Sequence, residues 1–298
     1  MARDALSPEA VAAARGLAAA LPDLLVEARR VASSVAAGWH GRRRAGPGED
    51  FWQFRPFVTG ESMRGIDWRR SARDDTLHVR EREHENAHTV WLSVDLSASM
   101  DFRSDAAIAS KRDRAVTLAL ALAELLSRAG ERIGLVGDAE PTSRRDGAEV
   151  IAMKLARLGS AGAAQALTDA PAAARRRDDL ILLSDFLGPE QQRDRLLASL
   201  ADLEARVHLV EIADPTEEEF PFLGRVDFVD PESGAHLLAG RAEAWRDNYL
   251  SARAAHRARL IAARRPGWSH TLARTDRPAI EALVALHGHL SAPDGGGA

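Results

Sequence analysis

The stretch HTVWLSVDLSAS, residues 88 to 99, decides the fold that this sequence predicts. A run of strand-forming residues, 89 to 94, ends at Asp95, and Ser97 and Ser99 occupy the second and fourth positions after that aspartate. An apolar and β-branched run closed by polar residues is typical of a buried strand. The sequence therefore places three hard oxygen ligands at the carboxyl end of a core strand.

Strands alternate with helices over the remainder of the chain. Strands are predicted at 131–138, at 149–153 as a short edge strand, and at 178–186, 205–214 and 268–275, with helices at 7–37, 110–130, 154–176, 189–204, 241–264 and 278–290. The run TLHVREREH, from residue 76, precedes HTVWLSVD across a short polar gap, which predicts a hairpin or a bent strand pair. This alternation indicates the α/β class, a Rossmann-like and mostly parallel sheet with helices on both faces.

The chain divides into four predicted regions. They are N-terminal helices at 1–37, an Arg- and aromatic-rich segment at 38–88 that packs on the sheet, the α/β domain at 89–290, and a disordered tail at 291–298. Residues 38–75 have no sustained period and are read as irregular but ordered, because their aromatic residues are too apolar for a linker. Within the α/β domain, a small β excursion is predicted at 224–240, with its turn at 231–234.

The composition is that of an ordinary globular protein of 298 residues, with 45% hydrophobic and 28% charged residues. The formal net charge of −4 gives no global reason to expect nucleic acid as a partner. There is no cysteine, which excludes disulfides, thiolate nucleophiles and cysteine–zinc sites. No uncharged apolar stretch is long enough to span a bilayer, and the N-terminus does not resemble a signal peptide, so we expect a cytoplasmic protein.

Two strand ends are predicted to meet at one edge of the sheet. In the common order 3-2-1-4-5-6, the first strand (89–95) and the fourth (179–185) are neighbours, and ligands bind where the strand order reverses. Asp95, Ser97 and Ser99 would then converge with Asp185 in one crevice. Such a set suits a hard cation such as Mg²⁺, or Mn²⁺ or Ca²⁺. The alternative is a serine-rich turn that caps the following helix.

The Asp-x-Ser-x-Ser pattern after a buried strand resembles the metal-ion-dependent adhesion site of von Willebrand factor A-type domains. More specifically, the chain resembles the bacterial family called domain of unknown function 58. The matching blocks are FRPFVTGESMRGIDWRRSAR (54–73), LHVREREHENAHTVWLSVDLSASM (77–100), LLSDF (182–186) and EIADPTEEEFPFLGRVDFVDPESG (211–234). Together they cover roughly residues 36 to 290, and the combination is more specific than any one block.

The resemblance implies an A-type, Rossmann-like domain without an established enzymatic activity. Genes of the family commonly accompany those of MoxR-type AAA+ ATPases, which implies a role beside that ATPase in assembling or activating other proteins. By similarity, Ser97 and Ser99 would contact the metal directly, Asp95 and Asp185 directly or through water, and a partner carboxylate often completes the shell. A full site also uses a loop threonine, for which RLGSAGAAQALTDAP, residues 157 to 171, offers Ser160 or Thr168.

The sequence also allows two enzymatic functions, but it supports them less well than a binding role. The motif HENAH contains His84, Glu85 and His88 in the spacing of a zinc peptidase, but that chemistry needs a helix and this segment is predicted as strand–turn–strand. A Mg²⁺-dependent phosphatase or nuclease could use the Asp95–Asp185 crevice. It would need a nucleophile or general base beyond the ligands, and the sequence has no Gly-rich phosphate loop.

The block from residue 54 to 73 has a further candidate role. Its arginines are tentative partner-binding residues, since arginine beside aromatic side chains suits protein interfaces: Arg55, Arg64, Arg69, Arg70 and Arg73. The alternative is that the aromatic residues anchor the segment on the sheet. The sequence as a whole therefore predicts a non-enzymatic protein-interaction module, with a MoxR-type ATPase as the partner and a divalent cation at the contact.

Overall fold

The computed structural model describes residues 22–35, 51–56, 71–72, 77–82, 89–138, 140–160, 174, 178–203 and 205–290. The chain forms two compact units, one from residues 1–39 and 88–298 and the other from residues 40–87. The larger unit carries the central sheet, and the smaller unit carries a two-stranded sheet. In the described ranges, no helix combines the length and the apolar character needed to cross a bilayer.

The smaller unit contains an antiparallel pair of strands, β1 (Phe51–Pro56) and β2 (His78–Arg82), with a shift in register between Phe51 and Gln53. This pairing corrects two predictions. The sequence FWQFRP is a strand and not part of an irregular segment, and β2 pairs with β1 and not with the run at 89–94. The alternating pattern of β2 was recognised, but its partner lies upstream, where the Gly and Arg content of the surrounding segment hid a short aromatic strand.

Five parallel strands form the central sheet of the larger unit. In chain order the strands of this unit are β3 (Thr89–Val94), β4 (Arg132–Leu135), β5 (Asp179–Ser184), β6 (Arg206–Ala213), β7 (Val226–Val229), β8 (His236–Ala239) and β9 (Ser269–Arg274). The sheet order is β4-β3-β5-β6-β9, and β7 and β8 form a separate antiparallel hairpin, as predicted for the β excursion. The strand order reverses between β3 and β5, which are neighbours as the sequence predicted. The predicted order 3-2-1-4-5-6 is wrong, because β5 is the third strand of this five-stranded sheet in chain order and not the fourth.

Helices connect the parallel strands. They are α1 (residues 22–35), α2 (Lys111–Ala129), α3 (Gly147–Ser160), α4 (Glu190–Ala201), α5 (Pro215–Glu219), α6 (Arg246–Ala262) and α7 (Ala279–Leu290). The predicted edge strand at 149–153 is wrong, because these residues lie inside α3. Ala148, Ile151, Ala152 and Leu155 are buried at the i, i+3, i+4, i+7 spacing of a helix, which a five-residue apolar window cannot distinguish from a strand.

The two faces of the sheet are covered by different helices. Val90, Leu92 and Val94 point to a core shared with α1, α2, α3 and α7. Trp91 points the other way, to a core shared with α4 and α6. This alternation is the period of two expected for a strand buried on both sides. The protein is therefore a mixed α/β fold with a mostly parallel central sheet flanked by helices.

Trp91 also fixes the neighbouring strand and the entry to β3. A Cβ atom at Gly134 of β4 would lie 2.3 Å from the Trp91 ring, so the strand needs glycine there to pass the indole. Asp178, just before β5, accepts hydrogen bonds from Trp91 Nε1 and from the Thr89 N–H, each at 3.1 Å. These contacts hold β3 and β5 side by side and align their carboxyl ends.

Candidate functional site

A cavity of about 750 Å³ lies at the carboxyl ends of β3 and β5. All four metal ligands predicted from these strand ends, Asp95, Ser97, Ser99 and Asp185, line it. The remaining wall is largely apolar and comes mainly from the loop before α4 and from the β7–β8 hairpin with its flanking segments: Phe102, Phe186, Leu187, Pro189, Leu196, Phe220, Phe222, Phe228, Val229, Pro231, Leu237, Trp245 and Tyr249. The structure thus joins a polar floor to an apolar wall.

Asp95 is held in place by two hydrogen bonds. Its Oδ2 accepts from Ser184 Oγ at 2.6 Å, and its Oδ1 accepts from the Ser97 N–H at 2.9 Å. Burial raises the pKa of Asp95, and the hydrogen bonds from Ser184 and Ser97 only partly oppose that rise. The carboxyl group therefore has a fixed orientation at the strand end.

The two serines of the motif face the same space. Their Oγ atoms lie 3.2 Å apart. Ser97 is the first flanking residue of a short 3₁₀ turn (Ala98–Asp101), but its side chain makes no capping hydrogen bond, and Ser110 is the residue that caps α2. Helix capping, the alternative function for these serines, is therefore not what their side chains do.

A lysine that sequence analysis did not select lies at the centre of the floor. The Nζ atom of Lys111 donates to Asp185 Oδ2 at 2.8 Å and to Glu217 Oε1 at 2.5 Å, and the side chain is almost completely buried. Burial alone would lower the pKa of the Lys111 ammonium, but the charges of Asp185 and Glu217 raise it above the ordinary lysine value. Lys111 is therefore a buried ammonium held between two acids.

Asp185 is the carboxylate that this ammonium neutralises. Burial would raise the pKa of Asp185, but the Lys111 charge and the hydrogen bonds from the Leu187 N–H and from Ser99 hold it below its ordinary value. Glu217 also accepts from the Asp214 N–H at 2.9 Å in the capping box of α5. Lys111 thus ties the start of α2 to the ends of β5 and β6.

One signal in the sequence could have found Lys111. It is the first residue of α2, where the partial positive charge of the helix end disfavours a cation. A lysine at that position indicates that an acid from elsewhere in the fold compensates it. The acids themselves, from segments 74 and 106 residues away, could not be identified without the tertiary structure.

A resident Mg²⁺, which the family resemblance implies, fits these residues poorly. A divalent ion on Asp185 would face the Lys111 ammonium at short range in a poorly solvated place. Asp95 is the other carboxylate of the predicted set, and one lone pair on each of its oxygens already accepts a hydrogen bond. The predicted set supplies two carboxylates and two serine hydroxyls, and in the described part of the chain no third His, Asp or Glu side chain joins them as a metal ligand. Within the predicted set, Asp185 already contacts a cation of the protein itself, the Lys111 ammonium.

The other predicted site residues fall at the edge of the described residues or beyond it. Ser160 is the last residue of α3, with its side chain outside the described part, and Thr168 lies outside altogether. The zinc-peptidase motif, residues 84–88, also lies outside, so that alternative stays a prediction.

The side chains of the predicted partner-binding arginines also lie outside the described part of the chain. Arg55 lies on β1 opposite Val79, and its side chain is outside the described part. Arg64, Arg69, Arg70 and Arg73 lie outside the described residues. Their role at an interface remains a prediction.

The fold and site define an α/β protein with a cavity at the carboxyl edge of a parallel sheet, and comparison with known proteins gives its family. The profile of the family described as protein of unknown function DUF58 matches residues 53–259. The chain belongs to this family.

Relatives of similar length occur in mycobacteria. The chain is 34% identical over 282 residues to the uncharacterized protein Rv1480 of Mycobacterium tuberculosis, covering 90% of this chain and 88% of the relative. The same values apply to the uncharacterized protein Mb1516 of Mycobacterium bovis.

Two solved structures are also similar, at a low level. The conserved hypothetical protein BatB from Bacteroides thetaiotaomicron is 13% identical, with 69% of this chain and 100% of that chain covered and a TM-score of 0.36. An aerotolerance-related membrane protein from Bacteroides fragilis is 17% identical, with 68% and 98% covered and a TM-score of 0.36. Similarity at this level carries no argument about function.

Proposed function

We propose that the protein is a non-enzymatic interaction module, built on a von Willebrand factor A-type domain, that receives a protein partner in the cavity at the carboxyl ends of β3 and β5. The observation that carries this proposal is the pairing of a hydrogen-bonding floor with an apolar rim. Phe102 and Leu187 line the cavity and remain about two-fifths exposed. Contiguous exposed apolar surface beside a few fixed polar groups is a common feature of binding sites.

The charged groups of the floor support a binding role over a catalytic one. A nucleophile or general base acts through a proton or lone pair that substrate can reach. Lys111 is committed to Asp185 and Glu217, and Ser184 Oγ donates to Asp95 while accepting from the Phe186 N–H at 2.9 Å. The Mg²⁺-dependent hydrolase remains a second prediction, and it needs a metal that Lys111 opposes.

The partner that we propose is a MoxR-type AAA+ ATPase, as the family resemblance suggests. We propose that the contact itself does not depend on a divalent cation, because Lys111 already supplies a positive charge to the floor. The cytoplasmic location expected from the sequence stays a prediction.

Binding of the purified ATPase to the purified chain tests the proposal. Leu187→Glu places a charge on the apolar rim, and we expect it to weaken binding by more than about tenfold because a buried unpaired charge is costly at an interface. Met153→Glu is the matched control, since Met153 is an exposed apolar residue of α3 that does not line the cavity. The proposal is wrong if the ATPase does not bind the wild-type chain, or if both variants bind it equally well.

A further inference from the structure

The cavity floor contains a carboxylate from a distant part of the chain. Glu232, in the turn between β7 and β8, accepts a hydrogen bond from the Ser99 N–H through Oε1 at 2.8 Å. The two residues are 133 positions apart, and Glu232 is exposed. This backbone N–H, at the last residue of the Asp-x-Ser-x-Ser motif, is thus a carboxylate-binding group that the protein's own hairpin occupies.

The turn that presents Glu232 is held by its own hydrogen bonds. Asp230 Oδ1 accepts from the Glu232 N–H at 3.1 Å, and the Asp230 carbonyl accepts from the Gly234 N–H at 2.8 Å. Gly234 adopts a φ of +68°, a conformation that glycine allows without strain. Because these bonds lie within the turn, the Glu232 side chain can leave Ser99 while the turn keeps its shape.

The hairpin is anchored on one side and apolar toward the cavity. Phe228 of β7 stacks on Phe220 and Trp245, with ring centroids 5.8 Å and 6.2 Å apart. Val229 and Leu237 line the cavity and are more than half exposed. An apolar surface therefore borders the place where the Glu232 carboxylate binds.

The acids that line the cavity outnumber its cations, which disfavours a second carboxylate beside Glu232. Asp185 and Glu217 share the ammonium of Lys111, and two further acids, Asp95 and Asp230, line the same cavity with one arginine, Arg193. A second incoming acid would meet like charge unless Glu232 moved out to solvent. Exchange of one carboxylate for another leaves the local charge unchanged.

We infer that Glu232 is an internal ligand of the cavity and that a partner's acidic side chain, next to an aromatic or aliphatic residue, replaces it at the Ser99 N–H. This inference rests on the proposed function and names the chemistry of the partner segment. The partner's carboxylate takes the hydrogen bond of Glu232, and its apolar neighbour covers Val229 and Leu237. In the free protein, Glu232 lowers the affinity of the cavity for any such segment.

Glu232→Ala tests the inference without the ATPase. The Ser99 amide is followed by its ¹H–¹⁵N shift and hydrogen exchange rate, and binding is measured with two probes, N-acetyl-Phe-Glu-amide and N-acetyl-Phe-Gln-amide. We expect the Ser99 amide of the variant to exchange faster and the Glu probe to bind it about fivefold more tightly than wild type, which is the scale of one exposed charge-assisted hydrogen bond. The Gln probe should bind both proteins weakly.

Asp227→Ala is the matched control, since Asp227 is an acid of β7 that pairs with His236 and does not line the cavity. It should leave the Ser99 amide and both affinities at wild-type values. An unchanged Ser99 amide in Glu232→Ala, equal affinity of the two proteins for the Glu probe, or no binding of that probe to either protein overturns the inference. If the probe behaves as expected but the ATPase does not bind, the inference stands and the proposed partner is wrong.

Discussion

Two buried ion clusters in this protein differ in the balance of their charges. The β6 ion cluster surrounds Glu211, which is fully buried and accepts from Arg257 and from His270, each at 2.8 Å. Arg253 and Glu218 complete it, which gives two arginines for two acids. The cavity ion cluster has one lysine, Lys111, for two acids, Asp185 and Glu217, and it borders open space that Asp95 and Arg193 also line.

The difference indicates what each cluster does. Paired charges inside a protein are stable when each acid has its cation and its hydrogen bonds, which is the situation of Glu211. The cavity ion cluster has more acids than cations and lies beside two half-buried serine hydroxyls and an apolar wall. We interpret the β6 ion cluster as structural, joining α5 and α6 to the sheet, and the cavity ion cluster as the floor of a binding site.

Breaking the β6 ion cluster should cause the largest loss in the free energy of unfolding. Glu211→Ala leaves Arg253 and Arg257 buried without their main acid, so the free energy of unfolding should fall by about 4 kcal/mol. Urea denaturation at neutral pH measures it. Glu219→Ala, at an exposed acid that pairs with Arg274, is the control and should change stability by less than about 0.5 kcal/mol. Equal losses in the two variants would contradict a structural role for the cluster.

Acid should weaken the same cluster. Burial alone would raise the pKa of Glu211, but the hydrogen bonds from His270 and Arg257 and the charge of Arg253 lower it to about 2. A lowered pKa stabilises the fold above the ordinary value of 4.5, and this contribution is lost as the pH falls from there through about 2. The loss is on the order of 3 kcal/mol, from about 1.4 kcal/mol per pKa unit.

Unfolding measured from pH 6 down to about pH 2, with Glu211→Gln beside the wild type, checks this prediction. The variant cannot titrate at this position, so its stability should be lower at neutral pH and should change less on acidification. Parallel curves for the two proteins would mean that Glu211 does not carry the acid dependence.

Removing the lysine of the cavity ion cluster should lower the free energy of unfolding by less than breaking the β6 ion cluster does. Lys111→Met leaves Asp185 and Glu217 without their ammonium, and we expect a loss of about 2–3 kcal/mol, since the adjoining cavity allows water to reach the freed acids. The double variant Lys111→Met, Asp185→Asn should recover part of this loss, because the uncompensated charge is removed. The pairing is not energetically important if the single variant unfolds like wild type.

Adding or removing Mg²⁺ should change the stability of the protein less than any of these substitutions. Because Lys111 occupies the cation position beside Asp185, we expect millimolar Mg²⁺ or EDTA to shift the melting temperature of the wild-type chain by less than about 1 °C. Lys111→Met frees Asp185 and should gain a Mg²⁺-dependent rise. A clear rise in the wild type that Asp95→Asn abolishes would instead establish the metal site that the family resemblance implies.

Much of the sheet could be predicted from the sequence because a strand buried on both faces leaves a short apolar run. The runs that end at Asp95 and Asp185 have this pattern, and the common strand order 3-2-1-4-5-6 makes their strands neighbours. The failures were local. Residues 149–153 are helical although the short window fits a strand, and the partner of β2 proved to be β1, because a strand pattern does not specify which strand completes the pair.

The sequence by itself determined the α/β class, the adjacency of the two strands that end at Asp95 and Asp185, and the meeting of Asp95, Ser97, Ser99 and Asp185 at one edge, because these follow from local periodicity and from the geometry of parallel sheets. The tertiary structure alone decided what those groups contact. The Lys111 ammonium sits between Asp185 and Glu217, and the Glu232 carboxylate reaches the Ser99 N–H from a remote hairpin. Neither Lys111 nor Glu232 ends a buried strand, so their contacts depend on packing and charge balance in the folded chain and follow from no local pattern.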